Sequence, residues 1–231
     1  MTTTPVERDG RGLDPSFGGS LAYLLMNLPL GVFAFVWLVT LTASGLGTVV
    51  VWLGVPLLAL LVLSVRGAAR LERARVYALL DRFITLPYAA LPDGTQRLRW
   101  KARLKDVTTW RDLVYLFLLF PLGIVEFVLV TTFWATSLGL AALPIYYRFL
   151  PGGVYRFPSD DFVWFTVDST VGALPWAALG ILFAALSVAL TKALAGTHAR
   201  LAAALLGPTS AQRRRLEASW DEAERMSAVG G

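Results

Sequence analysis

Cysteine is absent from the 231-residue chain, and histidine occurs once. The first absence excludes a disulfide framework, a zinc–thiolate site and a thiol nucleophile. The second excludes a multi-histidine metal site. Charge is scarce too: 16% of residues are Asp, Glu, Lys or Arg, against 56% hydrophobic. A soluble domain carries about 25% charged residues. Nucleophile elbows and HExxH helices are missing, and Gly152-Gly153 lacks the lysine of a phosphate-cradling loop. No enzyme activity, metal or cofactor is expected.

Long uncharged runs are what the chain has instead. None of the 51 residues between Asp14 and Arg66 is charged. One membrane helix needs about 20 apolar residues, so this run holds two helices and a turn. The small residues of Thr42-Ala43-Ser44-Gly45-Leu46-Gly47 mark that turn. Spans are expected near 20–42 and 47–65. A third, near 113–137, falls in a run broken only by Glu126. A fourth covers about 171–191. The runs are too long and too rich in Leu and Ala for alternating barrel strands. Residues 1–19 mix Glu7, Asp9 and Asp14 with Arg8 and Arg11 and read as a cytoplasmic tail, not a signal peptide.

Basic residues set the expected orientation. Segment 66–112 holds 11 Lys and Arg, whereas loop 144–171 holds only Arg148 and Arg156. The positive-inside rule puts both termini and segment 66–112 in the cytoplasm of a plasma-membrane protein. The net charge of +5 is thus mostly a topology signal. Basic residues also attract anionic lipid headgroups. Nucleic acid is not an expected partner, because no recognised binding module is present.

The chain repeats itself. Leu21-Ala22-Tyr23-Leu24 matches Leu113-Val114-Tyr115-Leu116, and Pro29-Leu30-Gly31 matches Pro121-Leu122-Gly123. Across 21–47 there are 12 identities in 27 positions. Ala204-Leu205-Leu206 echoes Ala78-Leu79-Leu80. The expected fold is therefore an all-α integral membrane protein. Its four transmembrane helices form two parallel-repeat hairpins, with a cytoplasmic basic loop and a short C-terminal helix. Pro29 and Pro121 bend their helices, and Gly31 and Gly123 permit close approach. These four residues are candidate shaping or hinge positions.

Glu126 is the one ionisable residue well inside a span, which makes it a functional candidate. Asn27 is its nearest polar candidate partner, for a hydrogen bond inside the bundle. His198, in Gly196-Thr197-His198-Ala199-Arg200, lies just past the fourth span and is not expected to accept phosphate.

Three soluble pieces remain. Arg97, Arg99, Lys101, Arg103 and Lys105 alternate with Leu98, Trp100, Ala102 and Leu104 in a strand-like period, yet a lone strand has no partner, and a helical backbone with an imperfect apolar face stays open. A membrane-surface segment contacting lipid or a protein partner is expected there. Thr109 with Asp112 resembles a capping box opening the third span, and Thr209 with Gln212 another. In the tail 209–231, Leu216, Trp220 and Ala223 form an apolar stripe, and Arg213 and Glu217 an ion pair. This amphipathic helix suits the membrane surface, a cap on the bundle, a homodimer contact or a cytoplasmic signalling partner. Loop 144–171 is rich in aromatics and should lie at the outer interface. Pro158-Ser159-Asp160-Asp161 reads as its solvated turn.

Several of these residues resemble a known family. A Leu-Pro-Leu-Gly span is followed by Arg70-Leu71-Glu72-Arg73-Ala74-Arg75. Then come Asp106-Val107-Thr108-Thr109-Trp110-Arg111-Asp112-Leu113, Phe120-Pro121-Leu122-Gly123 and a closing Leu205-Leu206-Gly207-Pro208. Residues 20–208 resemble the sensor domain of actinobacterial sensor histidine kinases. In those kinases a linker, a His-Asp phosphoacceptor helix and an ATPase domain follow. The residues after Pro208 resemble the linker's start and contain no His-Asp pair. The resemblance implies a signal-input module of a two-component type that acts through a separate partner. A small transporter subunit or a membrane scaffold are the competing expectations.

Overall fold

The computed structural model describes residues 15–88, 95–159, 161–214, 218 and 225–226. Its long helices are α1 (Phe17–Gly47), α2 (Gly54–Leu80), α4 (Val107–Tyr146) and α5 (Thr170–Leu206), with the short α3 (Gln96–Lys105) ahead of α4. All four long helices are apolar and long enough to cross a membrane. The chain is a four-helix membrane protein. Many large apolar side chains face outward: Phe33, Ile181 and Leu182 are each about two-thirds exposed. Lipid is the solvent that suits them.

Each hairpin turns where local chemistry stops a helix. The first turn lies at 48–53, beyond the Gly-rich segment expected to form it. There the Thr48 backbone N–H still bonds to Ser44 O, and Trp52 adopts the left-handed conformation, with φ 62°. The segment 42–47 stays helical because Gly45 packs tightly against Leu58 of α2. Between α4 and α5 the chain makes an antiparallel hairpin of β1 (Tyr155–Pro158) and β2 (Val163–Val167), pairing Tyr155 with Val167 and Phe157 with Phe165. Strand pairing had not been expected in this loop. Asp160 lies outside the described residues.

One further expectation is corrected, and two stretches gain definite limits. Residues 96–105 are helical, one of the two backbones left open for them, and α3 buries none of its side chains. The cap of α4 is Asp106, whose Oδ1 accepts from Thr108 N at 3.0 Å, so Thr109 and Asp112 lie inside the helix. His198 sits within α5, which continues to Leu206. Thr209 and Gln212 do form the reciprocal capping box: Thr209 N donates to Gln212 Oε1 at 2.8 Å, and Gln212 N to Thr209 Oγ1 at 3.2 Å. Residues 1–14, residues 89–94, and Glu217, Leu216, Trp220 and Ala223 of the tail lie outside the described residues.

The bundle is centred on α4, which packs along both α1 and α5. Lipid supplies no hydrophobic drive for helices to associate, so close backbone approach and polar contacts carry the packing. A Cβ on Gly31 would lie 2.7 Å from Leu119 O of α4. One on Gly123 would lie 2.7 Å from Asn27 O of α1. Pro29 and Pro121 both lie inside their helices, just ahead of these contacts.

Candidate functional site: a polar ring through four helices

The bundle core holds a closed ring of hydrogen-bonded side chains near the end where α1 starts and α2 stops. On α1, Asn27 is fully buried, and its Nδ2 donates to Glu126 Oε2 of α4 at 2.5 Å. Glu126 Oε1 meets His198 Nδ1 of α5 at 2.6 Å. His198 Nε2 lies 3.0 Å from the Tyr115 hydroxyl of α4. Tyr115 donates to Glu72 Oε1 of α2 at 2.8 Å. Arg75 Nη2 donates to the same Glu72 oxygen at 2.9 Å and closes the ring on Asn27 Oδ1. Tyr23 of α1 adds a second hydroxyl on Glu72 Oε1, at 2.7 Å, and its ring faces the Arg75 guanidinium at 4.3 Å.

The chemistry follows from the partners. Tyr115 spends its proton on Glu72, so its oxygen is free to accept from His198 Nε2–H. Nδ1 then faces Glu126. The 2.6 Å contact is a hydrogen bond in either arrangement, imidazolium N–H to carboxylate or carboxyl O–H to imidazole nitrogen. Two acidic side chains, one guanidinium and one histidine ring are thus held together out of water. Such groups stay buried only when paired. Arg75 keeps Nε and Nη1 buried without a protein partner. Among the described residues no group of three or more His, Cys, Asp and Glu could hold a metal.

A second polar knot lies closer to the ends of α2 and α5. Arg73 Nε and Nη2 donate to Leu206 O, the last carbonyl of α5, at 3.1 and 2.9 Å. Its Nη2 also pairs with Asp112 Oδ1 of α4 at 2.7 Å, and Nη1 donates to the Tyr88 hydroxyl at 3.1 Å. Tyr88 donates on to Asp112 Oδ2 at 2.6 Å. Burial, then the bond to Asp112, pushes the Tyr88 phenol up to about 12. Beside this knot Arg66 pairs with Asp106, the α4 cap, at 2.5 Å. Gln212 Nε2 donates to Pro87 O and to Thr108 Oγ1, which fastens the start of the tail to the same place.

The structure brings Asn27 and Glu126 together and sets Gly31 and Gly123 on the same α1–α4 contact. Arg97, Arg99, Trp100, Lys101, Arg103 and Lys105 lie apart from this site, on α3; the Arg103 guanidinium stacks over Trp100 at 5.1 Å. Sequence reasoning missed Tyr23, Glu72, Arg73, Arg75, Tyr115 and His198 as members of buried networks. Arg73 and Arg75, read as surface charge marking topology, point into the bundle. A signal was available. Registering Ala78-Leu79-Leu80 on Ala204-Leu205-Leu206 sets Gly54 against Gly180 and Glu72 against His198. In that register every buried residue of α2 meets a buried residue of α5, including Val65 with Thr191 and Ala69 with Ala195.

Fold and site together define a polytopic helical membrane bundle with a buried polar core. A family model described as "Putative sensor" matches residues 23–206, and the chain belongs to that family. No curated protein and no solved structure matches it.

Proposed function

We propose that the chain is a non-catalytic signal-input module of the plasma membrane. In this reading the termini and segment 66–112 are cytoplasmic, and loop 144–171 faces out. The module detects a stimulus in the bilayer or at its outer face and relays it to a separate cytoplasmic protein. One observation carries the relay: Arg73 of α2 holds the last carbonyl of α5 and Asp112 of α4 at once. The tail leaves from that carbonyl. Any shift of α5 against α2 or α4 therefore reaches the point where the tail begins.

The polar ring supports the same reading. It links all four helices by directional bonds, so it favours a few discrete arrangements over continuous sliding. The two hairpins are read as parallel repeats, and the reciprocal contacts of Gly31 and Gly123 support this. Pro29 and Pro121 are the proposed hinges, because each removes a helix hydrogen bond beside that contact. On α3, Arg97, Arg99, Lys101, Arg103 and Lys105 suit anionic headgroups or the output partner, with Trp100 at the interface.

Photocrosslinking in native membranes from probes in 97–105 and 213–226 tests the proposal. Recovery of a kinase or a transcription regulator supports the relay. Recovery of lipid and the chain itself alone overturns it. The absence of native cysteine lets the orientation be read separately. Ser159→Cys should react with an impermeant thiol reagent from outside intact cells, and Thr209→Cys only after lysis.

A further inference from the structure

A cavity of about 410 Å³ lies at the opposite end of the bundle, under the β-hairpin. This is within the size range of small-molecule sites, roughly 300–1,000 Å³. Aromatic rings supply half of the lining: Tyr146, Tyr155, Phe157, Phe165 and Trp176. Phe165 stacks on Trp176 of α5 at 4.2 Å and 9°, and Phe157 stacks on Phe165 at 5.2 Å and 18°. The three rings form one flat pile that fixes the hairpin over the helices. From α4 the small residues Ala135, Thr136 and Gly139 line the cavity beside Leu140 and Leu143, and a Cβ on Gly139 would meet nothing within 4 Å.

The cavity also has polar handles. Tyr146 and Tyr155 meet edge to face at 6.4 Å. Neither hydroxyl has a hydrogen-bond partner among the described residues. A phenol at an apolar site normally finds an acceptor, so two lining phenols without a protein partner suit an occupant that carries acceptors. No acidic or basic side chain lines the cavity, which disfavours an ion or a charged headgroup. Aromatic walls favour a flat ring over a flexible chain, since offset-stacked and edge-to-face ring pairs gain more than buried area alone supplies. A location along membrane-spanning helices favours an occupant already dissolved in the bilayer.

We infer that this cavity binds a neutral, planar ring that carries carbonyl acceptors and a lipid-soluble tail, that is, a molecule of the isoprenoid quinone class. The ring lies against the Phe157–Phe165–Trp176 pile and above Gly139. Its carbonyls accept from Tyr146 and Tyr155. The inference concerns binding and includes no electron transfer. It deepens the signal-input reading and rests on it for any consequence of binding, because an occupant here bridges the hairpin, α4 and α5. Binding itself needs no partner protein.

The full chain in nanodiscs of phosphatidylglycerol and phosphatidylethanolamine is labelled with a short-tailed naphthoquinone bearing a diazirine. Unlabelled naphthoquinone of the same tail length competes, as does the matching prenyl hydrocarbon without the ring. The expected result is labelling within 135–176 that the quinone competes away and the hydrocarbon does not. Gly139→Leu, which fills the cavity, should cut competable labelling at least tenfold. Gly47→Leu should not, although a Cβ at Gly47 also meets nothing within 4 Å. Tyr146→Phe with Tyr155→Phe should weaken the quinone several-fold. The competition data on the unaltered chain decide the matter even where a variant fails to fold. Labelling that resists competition, or that the hydrocarbon competes equally well, overturns the inference, as does competable labelling untouched in a folded Gly139→Leu. Failure here with partner crosslinking intact removes the ligand class alone; binding without any partner removes the relay alone.

Discussion

Gly31 and Gly123 are reciprocal. Each presses its helix onto the other's backbone, Gly31 at Leu119 and Phe120, Gly123 at Asn27 and Leu28. Leu119 and Phe120 are the residues that the repeat sets against Asn27 and Leu28, at the separation of 92 that also relates Tyr23 to Tyr115. A Cβ at either glycine meets backbone, which cannot swing aside as a flexible side chain can. Gly31→Ala and Gly123→Ala should each cost about 1–3 kcal/mol, the usual range for overpacking. Gly67→Ala is the control, because a Cβ there meets nothing within 4 Å. It should be neutral or stabilising by a few tenths of a kcal/mol to about 1, from helix propensity. Denaturant titration in micelles, followed by circular dichroism, measures all three. Equal effects at Gly31 and Gly67 would remove the close-contact argument.

Glu126 holds Asn27 and His198 together. Glu126→Ala strands an amide and an imidazole in the core and should cost about 3–5 kcal/mol, as expected when one partner of a buried pair is removed. Glu126→Gln should cost clearly less. Its carbonyl still accepts from Asn27, and its amide can donate to His198 Nδ1. The pair Glu126→Ala and His198→Ala, made singly and together, gives a coupling energy. Additive effects would show that the 2.6 Å contact is not energetically real.

How much of this was legible is clear from particular residues. Four spans could be read because lipid demands long uncharged runs, and nothing else produces them. The contact of Gly31 with Gly123's helix could be anticipated from Pro-Leu-Gly recurring in register. Glu126 stood out because its neighbours in sequence are apolar. Glu72, Arg73 and Arg75 did not, since they sit among other charges in a segment that looks cytoplasmic. Only the helical phase of α2 separates the arginines that turn inward from Arg70, and the short Ala-Leu-Leu echo between α2 and α5 is a faint trace of that phase. The β-hairpin was hidden for a different reason. Aromatics mark a membrane interface and a strand equally well.

Tyr88 makes stability depend on alkaline pH. Its phenol is pushed from an ordinary value near 10 up to about 12 by burial, with the Asp112 bond adding to it. The folded state therefore keeps a proton that the unfolded chain gives up. This contribution is fully present below about pH 10 and is lost as pH rises through about 12. Tyr88→Phe should flatten the fall in stability over that window. Tyrosinate absorbance, compared between the two proteins, should show the missing transition near its top. A Tyr88 that titrates near its ordinary value would disprove the burial argument.

Arg73 gives the sharpest test of the relay. Its guanidinium contacts Leu206 O, Tyr88 and Asp112 from one planar fork. Lysine carries one compact ammonium and cannot span those three acceptors. Arg73→Lys retains a charge opposite Asp112, so the bundle should still fold, with a melting temperature lowered by a few degrees. The α5 terminus should lose its anchor on α2. Spin labels at Tyr77→Cys and Arg213→Cys report the separation of α2 from the tail without background, since the chain has no other cysteine. The distance distribution should be narrow in the parent and broad in Arg73→Lys. Arg200→Lys, on the exposed face of α5, should leave it narrow. Partner crosslinking from 213–226 should fall with the broadening. A narrow distribution in Arg73→Lys would mean that the Gln212 contacts with Pro87 and Thr108 hold the tail unaided. Movement of α5 would then have to reach the partner through α4 and the α3 segment instead.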